Sequence, residues 1–134
     1  MGLPHSAPPV GDELSAPFWA AIEERRIVLP RCSACGRWQW YPDEAGCDCP
    51  GATLRWEEVA PTGTVYTATR VERAFLPGGQ ADVPFTVAFI ELDGVEGMRL
   101  VANLADGVGI GDRVRADFVD HDGHPHLLFV AEPF

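Results

Sequence analysis

Hydrophobic positions in this chain change their period three times, and each change marks a different kind of element. Around Ser15 to Arg26 the apolar residues Phe18 and Ile22 stand four apart, Ser15 precedes them as a cap residue, and Pro17 suits a first turn. Glu23 and Glu24 lead into Arg25 and Arg26, which places basic charge at the C-terminal end. This pattern predicts a short helix, too short to persist in water without docking on something. A brief apolar run follows (Ile27, Val28, Leu29), and then the periodicity disappears for about twenty residues that hold two cysteine pairs and the aromatic residues Trp38, Trp40 and Tyr41.

From Leu54 onward the pattern is one of short β-type runs separated by turn residues. Strands are predicted near 54–60, 63–73, 85–93, 98–104, 112–119 and 126–131. The turns are marked by Pro61-Thr62-Gly63, Pro77-Gly78-Gly79, Asp93-Gly94, Gly109-Ile110-Gly111 and Asp122-Gly123. Val87, Phe89 and Glu91 alternate with Ala88, Ile90 and Leu92. The centre of that strand is apolar on both faces, and it reads as a strand buried on both sides in a small closed barrel. The chain is thus predicted to be mainly β, with residues 1–13 a flexible proline- and glycine-rich lead-in, 14–52 a helix plus cysteine-bearing module, and 53–134 the barrel.

With 134 residues there is room for one modest core or two very small modules. Hydrophobic residues at 46% and charged residues at 22% suit a folded chain and exclude a disordered tail. No stretch reaches the ~20 apolar residues of a membrane span, and the N-terminus has no export pattern, so a cytoplasmic protein with no membrane partner is expected. The net charge of -10 disfavours nucleic acid as a ligand, although all 10 basic residues are arginines and a local basic pocket remains open. The absence of lysine excludes Schiff-base chemistry.

The segment from 27 to 51 cannot close a hydrophobic core, so a cross-link or a metal is expected there. Cys32-Ser33-Ala34-Cys35-Gly36 reads as a knuckle, since two thiolates three positions apart can face one ion and the glycine lets the turn aim amides at sulfur. Cys47-Asp48-Cys49-Pro50-Gly51 supplies the second pair. Four sulfurs imply a structural zinc with every position filled, held by Cys32, Cys35, Cys47 and Cys49. The second pair is C-x-C where a ribbon usually has C-x-x-C, which leaves strained ligation or lost metal affinity as alternatives. A disulfide is disfavoured by the lack of an export signal, and redox catalysis by the lack of a βαβ pattern.

The order of these features resembles the DUF35 family of zinc-ribbon, OB-fold, acyl-CoA-associated proteins. Phe18-Trp19, Cys32-x-x-Cys35-Gly36, Cys47, Cys49, Leu54-Arg55-Trp56-Glu57 and Gly63-Thr64-Val65-Tyr66-Thr67 carry the resemblance. It continues through Pro84 to Leu92, Leu100-Val101-Ala102-Asn103-Leu104 and Ile110-Gly111-Asp112-Arg113-Val114. The resemblance implies a rubredoxin-like zinc ribbon and a C-terminal OB-fold barrel of five to six strands. It further implies a partner of thiolase-superfamily enzymes. Family members bridge two catalytic subunits in archaeal acyl-CoA synthesis, or join a lipid-transfer-protein-like thiolase homologue to form a steroid side-chain retro-aldolase.

On this reading the chain is a non-catalytic accessory subunit of a hetero-oligomer, part of an aldolase complex in lipid metabolism and steroid degradation. Its four cysteines are taken by the ribbon, and Ser6, Ser15 and Ser33 sit in no nucleophile elbow. Arg70, Arg73 and Arg99 are candidate ligands of a CoA ester at the shared interface, because guanidinium forks match phosphate. The competing reading is that they offset Glu72, Asp82 and Glu91. Phe18, Trp19, Trp38, Trp40 and Tyr41 are candidates for the partner interface, since a module this small hides few large aromatics. The alternative function is single-stranded nucleic-acid binding by the OB barrel, which the charge opposes. His121, His124 and His126 read as a solvated turn.

Overall fold

A computed structural model describes residues 13–42, 47, 49–73, 83–121 and 123–133. Residues 1–12 of the lead-in, the Pro77-Gly78-Gly79 connection with Asp82, and Asp122 of the last turn lie outside the described residues. Helix α1 runs from Ala16–Glu23, with Pro17 in its first turn and Phe18, Ala21 and Ile22 on its buried face. Ser15 stands at the cap position, but its hydroxyl makes no cap bond. It accepts hydrogen bonds from the Trp19 indole N–H at 3.1 Å and the Tyr41 hydroxyl at 3.0 Å. Arg25, at φ 60°, turns the chain out of the helix.

Strand β1 (Val28–Cys32) pairs antiparallel with β2 (Leu54–Glu58), Pro30 opposite Trp56. The two form a sheet of their own. The sequence pattern placed the 54–60 run in the barrel, and the structure corrects this: β2 closes the cysteine module instead. A strand's alternation reveals which face is buried but does not name the strand it pairs with. A two-stranded sheet also tolerates Pro30, which has no N–H to give a ladder.

The barrel comprises β3 (Thr62–Val71), β4 (Phe85–Leu92), β5 (Leu100–Leu104), β6 (Arg113–His121) and β7 (His124–Ala131). Five strands close in the order β3-β4-β5-β7-β6, with β5 and β7 parallel and the other described pairs antiparallel. That is the Greek-key closure of an OB-fold. At the β3–β4 pairing Gly63 lies so close that a Cβ there would collide with the Glu91 carbonyl oxygen and sit 3.1 Å from Ile90 Cγ2.

One core runs through both parts. Val65, Ile90, Leu100, Leu104, Val114 and Phe129 of the barrel cluster with Phe18 and Ile22 of α1 and with Ile27 and Leu29 at β1. Each such aliphatic, fully buried, contributes about 1.5–3 kcal/mol, which explains how an eight-residue helix stays folded. Polar ties add to it. Arg25 donates to the Phe118 carbonyl and pairs with Asp120 at 2.7 Å, and His124 meets Glu23 at 3.0 Å.

The expectation that β4 is buried on both sides is also corrected. Ala88, Ile90 and Leu92 face inward, whereas Phe89 and Glu91 are exposed. In a five-stranded barrel the interior accepts one face of each strand, so the second apolar row lies on the outside. Among the described residues no helix is long and apolar enough to cross a membrane.

Candidate functional site

The cysteine cluster is built on the end of β1. Cys32 is its last residue, and the next turn folds back so that Gly36 N–H donates to the Cys32 carbonyl at 3.0 Å and Cys32 N–H to the Arg37 carbonyl at 2.8 Å. Gly36 has φ 76°, a conformation that suits glycine and completes the knuckle. The amides of Ala34 and Cys35 point at Cys32 Sγ, 3.4 and 3.5 Å away. Ser33 N–H donates to the Thr53 carbonyl at 2.9 Å and Thr53 N–H to Ser33 Oγ at 3.0 Å, which brings the second cysteine pair alongside the first.

All four cysteines are unbridged, and their sulfurs lie within 4.8 Å of one another. Sulfurs at about 2.3 Å from a tetrahedral zinc are roughly 3.8 Å apart. Cys35 to Cys47 measures 3.6 Å and Cys32 to Cys47 3.0 Å, so the donor set fits a four-sulfur ion site despite its C-x-C second pair. The electrostatics agree. The Cys35 amide, the Cys47 thiol and the Ala34 amide lower the Cys32 thiol to about 6. Hydrogen bonding with Cys32 raises Cys47, and the neighbouring Cys47 and Cys35 thiols push Cys49 up to about 12. Four thiols this close cannot all ionise alone; a dication removes the conflict.

A second feature lies on the barrel's outside. Tyr66, Phe89 and Val101 are 49%, 43% and 48% exposed, and Tyr41 beside the ribbon is 50% exposed. Between ribbon and barrel runs an open groove of about 550 Å³ whose walls include Trp38, Trp40, Tyr66, Phe89, Arg37 and Arg99. The Arg99 guanidinium stacks 3.6 Å from the Tyr66 ring centroid and pairs with Glu91 at 3.5 Å, while Arg31 stacks on Trp38 at 4.7 Å. Stacking of this kind holds a guanidinium flat without using all of its donors.

Profiles of the ChsH2 rubredoxin-like zinc ribbon domain and the ChsH2 C-terminal OB-fold domain match residues 19–55 and 56–119. A solved structure described as an Ltp2–ChsH2 (DUF35) aldolase is 30% identical, with a TM-score of 0.72, over 92% of this chain and 98% of that one. The chain belongs to the ChsH2 (DUF35) family.

A curated relative from Thermomonospora curvata, named probable enoyl-CoA hydratase alpha subunit, is 33% identical over 111 residues. The match covers 78% of this chain and 33% of that protein, so the chain spans about a third of the relative's length. A DUF35 protein of unknown function from Sulfolobus solfataricus, 16% identical, shares the fold at a TM-score of 0.60 over 90% of this chain and 86% of that one. The ribbon-domain match and the four clustered sulfurs together support the structural zinc expected from the two cysteine pairs.

Placement of the remaining candidates is uneven. Trp19, Trp38 and Trp40 are half-buried at the helix–ribbon junction and Tyr41 is exposed. Phe18 is corrected: it is only 4% exposed and lies 4.4 Å from Trp40, centroid to centroid, so its ring fills the chain's own core. The helix must dock to survive, and Phe18 is the residue it docks with. The three arginines are separated. Arg70 pairs across β3–β4 with Thr86, whereas Arg99 bonds Glu91, five positions and roughly 16 Å further along β4. Arg70 is paired with Glu72 at 3.1 Å, and Arg73 is exposed just beyond β3. Arg99 joins instead with Arg37, which the sequence reading did not select. Tyr66, Phe89 and Val101 were missed as well, although Phe89 carried the signal in the second apolar row of β4.

Proposed function

We infer that this chain is a non-catalytic accessory subunit of an acyl-CoA enzyme complex in the cytoplasm, seated against a thiolase-like subunit. The observation that carries the reading is the exposed row Tyr66, Phe89 and Val101 on the barrel, of which Tyr66 and Phe89 share one groove with the ribbon aromatics Trp38, Trp40 and Tyr41. Exposed apolar surface of this kind costs solubility unless a partner covers it. Support for the partner comes from the aldolase described as Ltp2–ChsH2, and support for the CoA ester from the hydratase-subunit name of the curated relative.

In this role zinc, held by Cys32, Cys35, Cys47 and Cys49, cross-links the ribbon and fixes Trp38, Trp40 and Tyr41 in place. Arg99 and Arg37 attend the polar arm of the CoA ester in the groove, and the partner supplies the groups that cleave a carbon–carbon bond, the substrate being a steroid side-chain acyl-CoA. The test is co-expression with a thiolase-like subunit followed by size exclusion. Wild type should co-elute, and a Phe89→Glu, Val101→Glu double variant should elute alone with its melting temperature preserved. Unchanged co-elution of that variant, or acyl-CoA cleavage by the purified chain alone, would overturn the reading.

A further inference from the structure

The exposed row on the barrel is too small to make an interface by itself. Tyr66, Phe89 and Val101 offer roughly 250 Å² of open surface between them, whereas a stable interface covers about 800 Å² on each partner. A partner that covers the row must therefore reach beyond it. On the reading above, the groove end is occupied by the polar arm of the CoA ester, which leaves the β5 side. There Val101 forms one lip of a recess of about 170 Å³, more enclosed than the groove, with Phe18, Trp19, Trp40, Val87 and Leu127 among its other walls. Phe89 pairs across the strands with Val101, and Val87 stands two positions from Phe89 on the same face. Row and recess are thus one continuous surface.

The chemistry of the recess is selective. None of the described residues that line it carries a charge, and the Trp19 indole N–H is already donated to Ser15 Oγ at 3.1 Å. A charged guest would give up its water and find nothing in exchange. Water itself fares little better, since an ordered molecule needs two to four polar partners. An apolar cavity of about 150 Å³ holds a benzene-sized guest, so this one is the size of a single phenylalanine or leucine side chain. Its walls are set before anything arrives. Trp40 leans on Phe18 at 4.4 Å and on Tyr41 at 5.2 Å, and Phe18 meets Trp19 edge-on at 4.9 Å. Rings braced in this way lose little freedom when the space is filled. We propose that the recess between α1 and the outer face of β4 and β5 is the anchor pocket of the interface, filled by one large apolar side chain of the thiolase-like partner. This rests on the accessory-subunit reading given above and gives the partner's anchoring residue its chemistry. Helix, ribbon and barrel each supply a wall, through Trp19, Trp40 and Val87, so the pocket forms only when all three are packed together.

The test measures the dissociation constant between the zinc-loaded full chain and a separately purified thiolase-like subunit by titration calorimetry. Val87→Trp adds apolar surface yet fills the recess. A merely greasy face would bind as before or more tightly, whereas a blocked anchor pocket weakens binding about thirtyfold or more. Circular dichroism and the melting temperature establish that the variant is folded; should it not be, Val101→Trp at the exposed lip closes the same opening. Independently, p-benzoylphenylalanine in place of Trp19 keeps an aromatic wall and is photolysed in the complex. Its cross-link should map to a partner segment centred on a large apolar residue. Unchanged affinity in the folded recess-filling variant overturns the proposal, as does a cross-link to a polar partner segment, to residues 1–12 of this chain, to a second copy, or to nothing. If Phe89→Glu, Val101→Glu breaks the complex while Val87→Trp leaves it intact, the pocket falls and the accessory role stands; if the wild-type chain binds no thiolase-like subunit, the underlying reading falls with it.

Discussion

Leu29→Ala tests whether helix, ribbon and barrel are one cooperative body. Leu29 is fully buried and belongs to the cluster that contains Ile90, Leu100 and Phe129 of the barrel. The substitution removes three carbons, about 2.4 kcal/mol of transfer free energy at ~0.8 per methylene. A residual cavity adds to this, bringing the expected loss to about 3–4 kcal/mol, within the usual range for such changes. For a chain of this size that lowers the melting temperature by roughly 10–15 °C. The tryptophans give a spatial control. All four (Trp19, Trp38, Trp40 and Trp56) lie outside the barrel strands, so their fluorescence follows helix and ribbon, while far-UV circular dichroism is dominated by the barrel. With zinc in excess, both signals should shift together. A fluorescence midpoint that falls while the dichroism midpoint stays would refute the shared core, as would a loss below about 1 kcal/mol.

Three further outcomes are expected. Metal analysis of the purified chain should find one zinc per chain, reduced in Cys35→Ser, and a chelator should abolish protection of the Cys32, Ser33 and Gly36 amides while leaving β4 and β7 protected. Asp93 accepts two bonds from Arg113, at 2.7 and 2.8 Å, and one from Thr62 at 2.6 Å; the Arg113 bonds foremost hold its carboxyl down at about 2. A depressed carboxylate stabilises the fold above its unfolded value, and that contribution disappears as pH falls from about 4 to about 2. Asp93→Asn should therefore lower the melting temperature at neutral pH and flatten its acid slope; an identical acid profile would show the pair contributes nothing. Gly63→Ala should cost about 1–3 kcal/mol or more by driving β3 from the Glu91 carbonyl, and an unchanged denaturation midpoint would contradict the close approach.

Much of this molecule could be read directly from local patterns. The helix with Phe18 and Ile22 on one face, the barrel strands within a few positions, and the two cysteine pairs all follow from short-range spacing. What escaped was pairing across distance. The alternation in Leu54–Glu58 says nothing of β1 as its neighbour, and the two apolar rows of β4 look the same whether the outer row faces a core or a partner. Phe18 looked like an interface aromatic because nothing local announces that a barrel core awaits it. Arg70 and Arg99 seemed one group, although strand register puts them at opposite ends of β4.

Because α1 packs against β7, the first and last described elements complete each other. During synthesis Phe18, Ile27 and Leu29 leave the ribosome a hundred or so residues ahead of β7, the strand that carries Phe129 and helps to cover them. The nascent chain must carry that greasy surface uncovered until β7 emerges. A surface of this kind is what chaperones recognise, and this one long-range contact is what removes it.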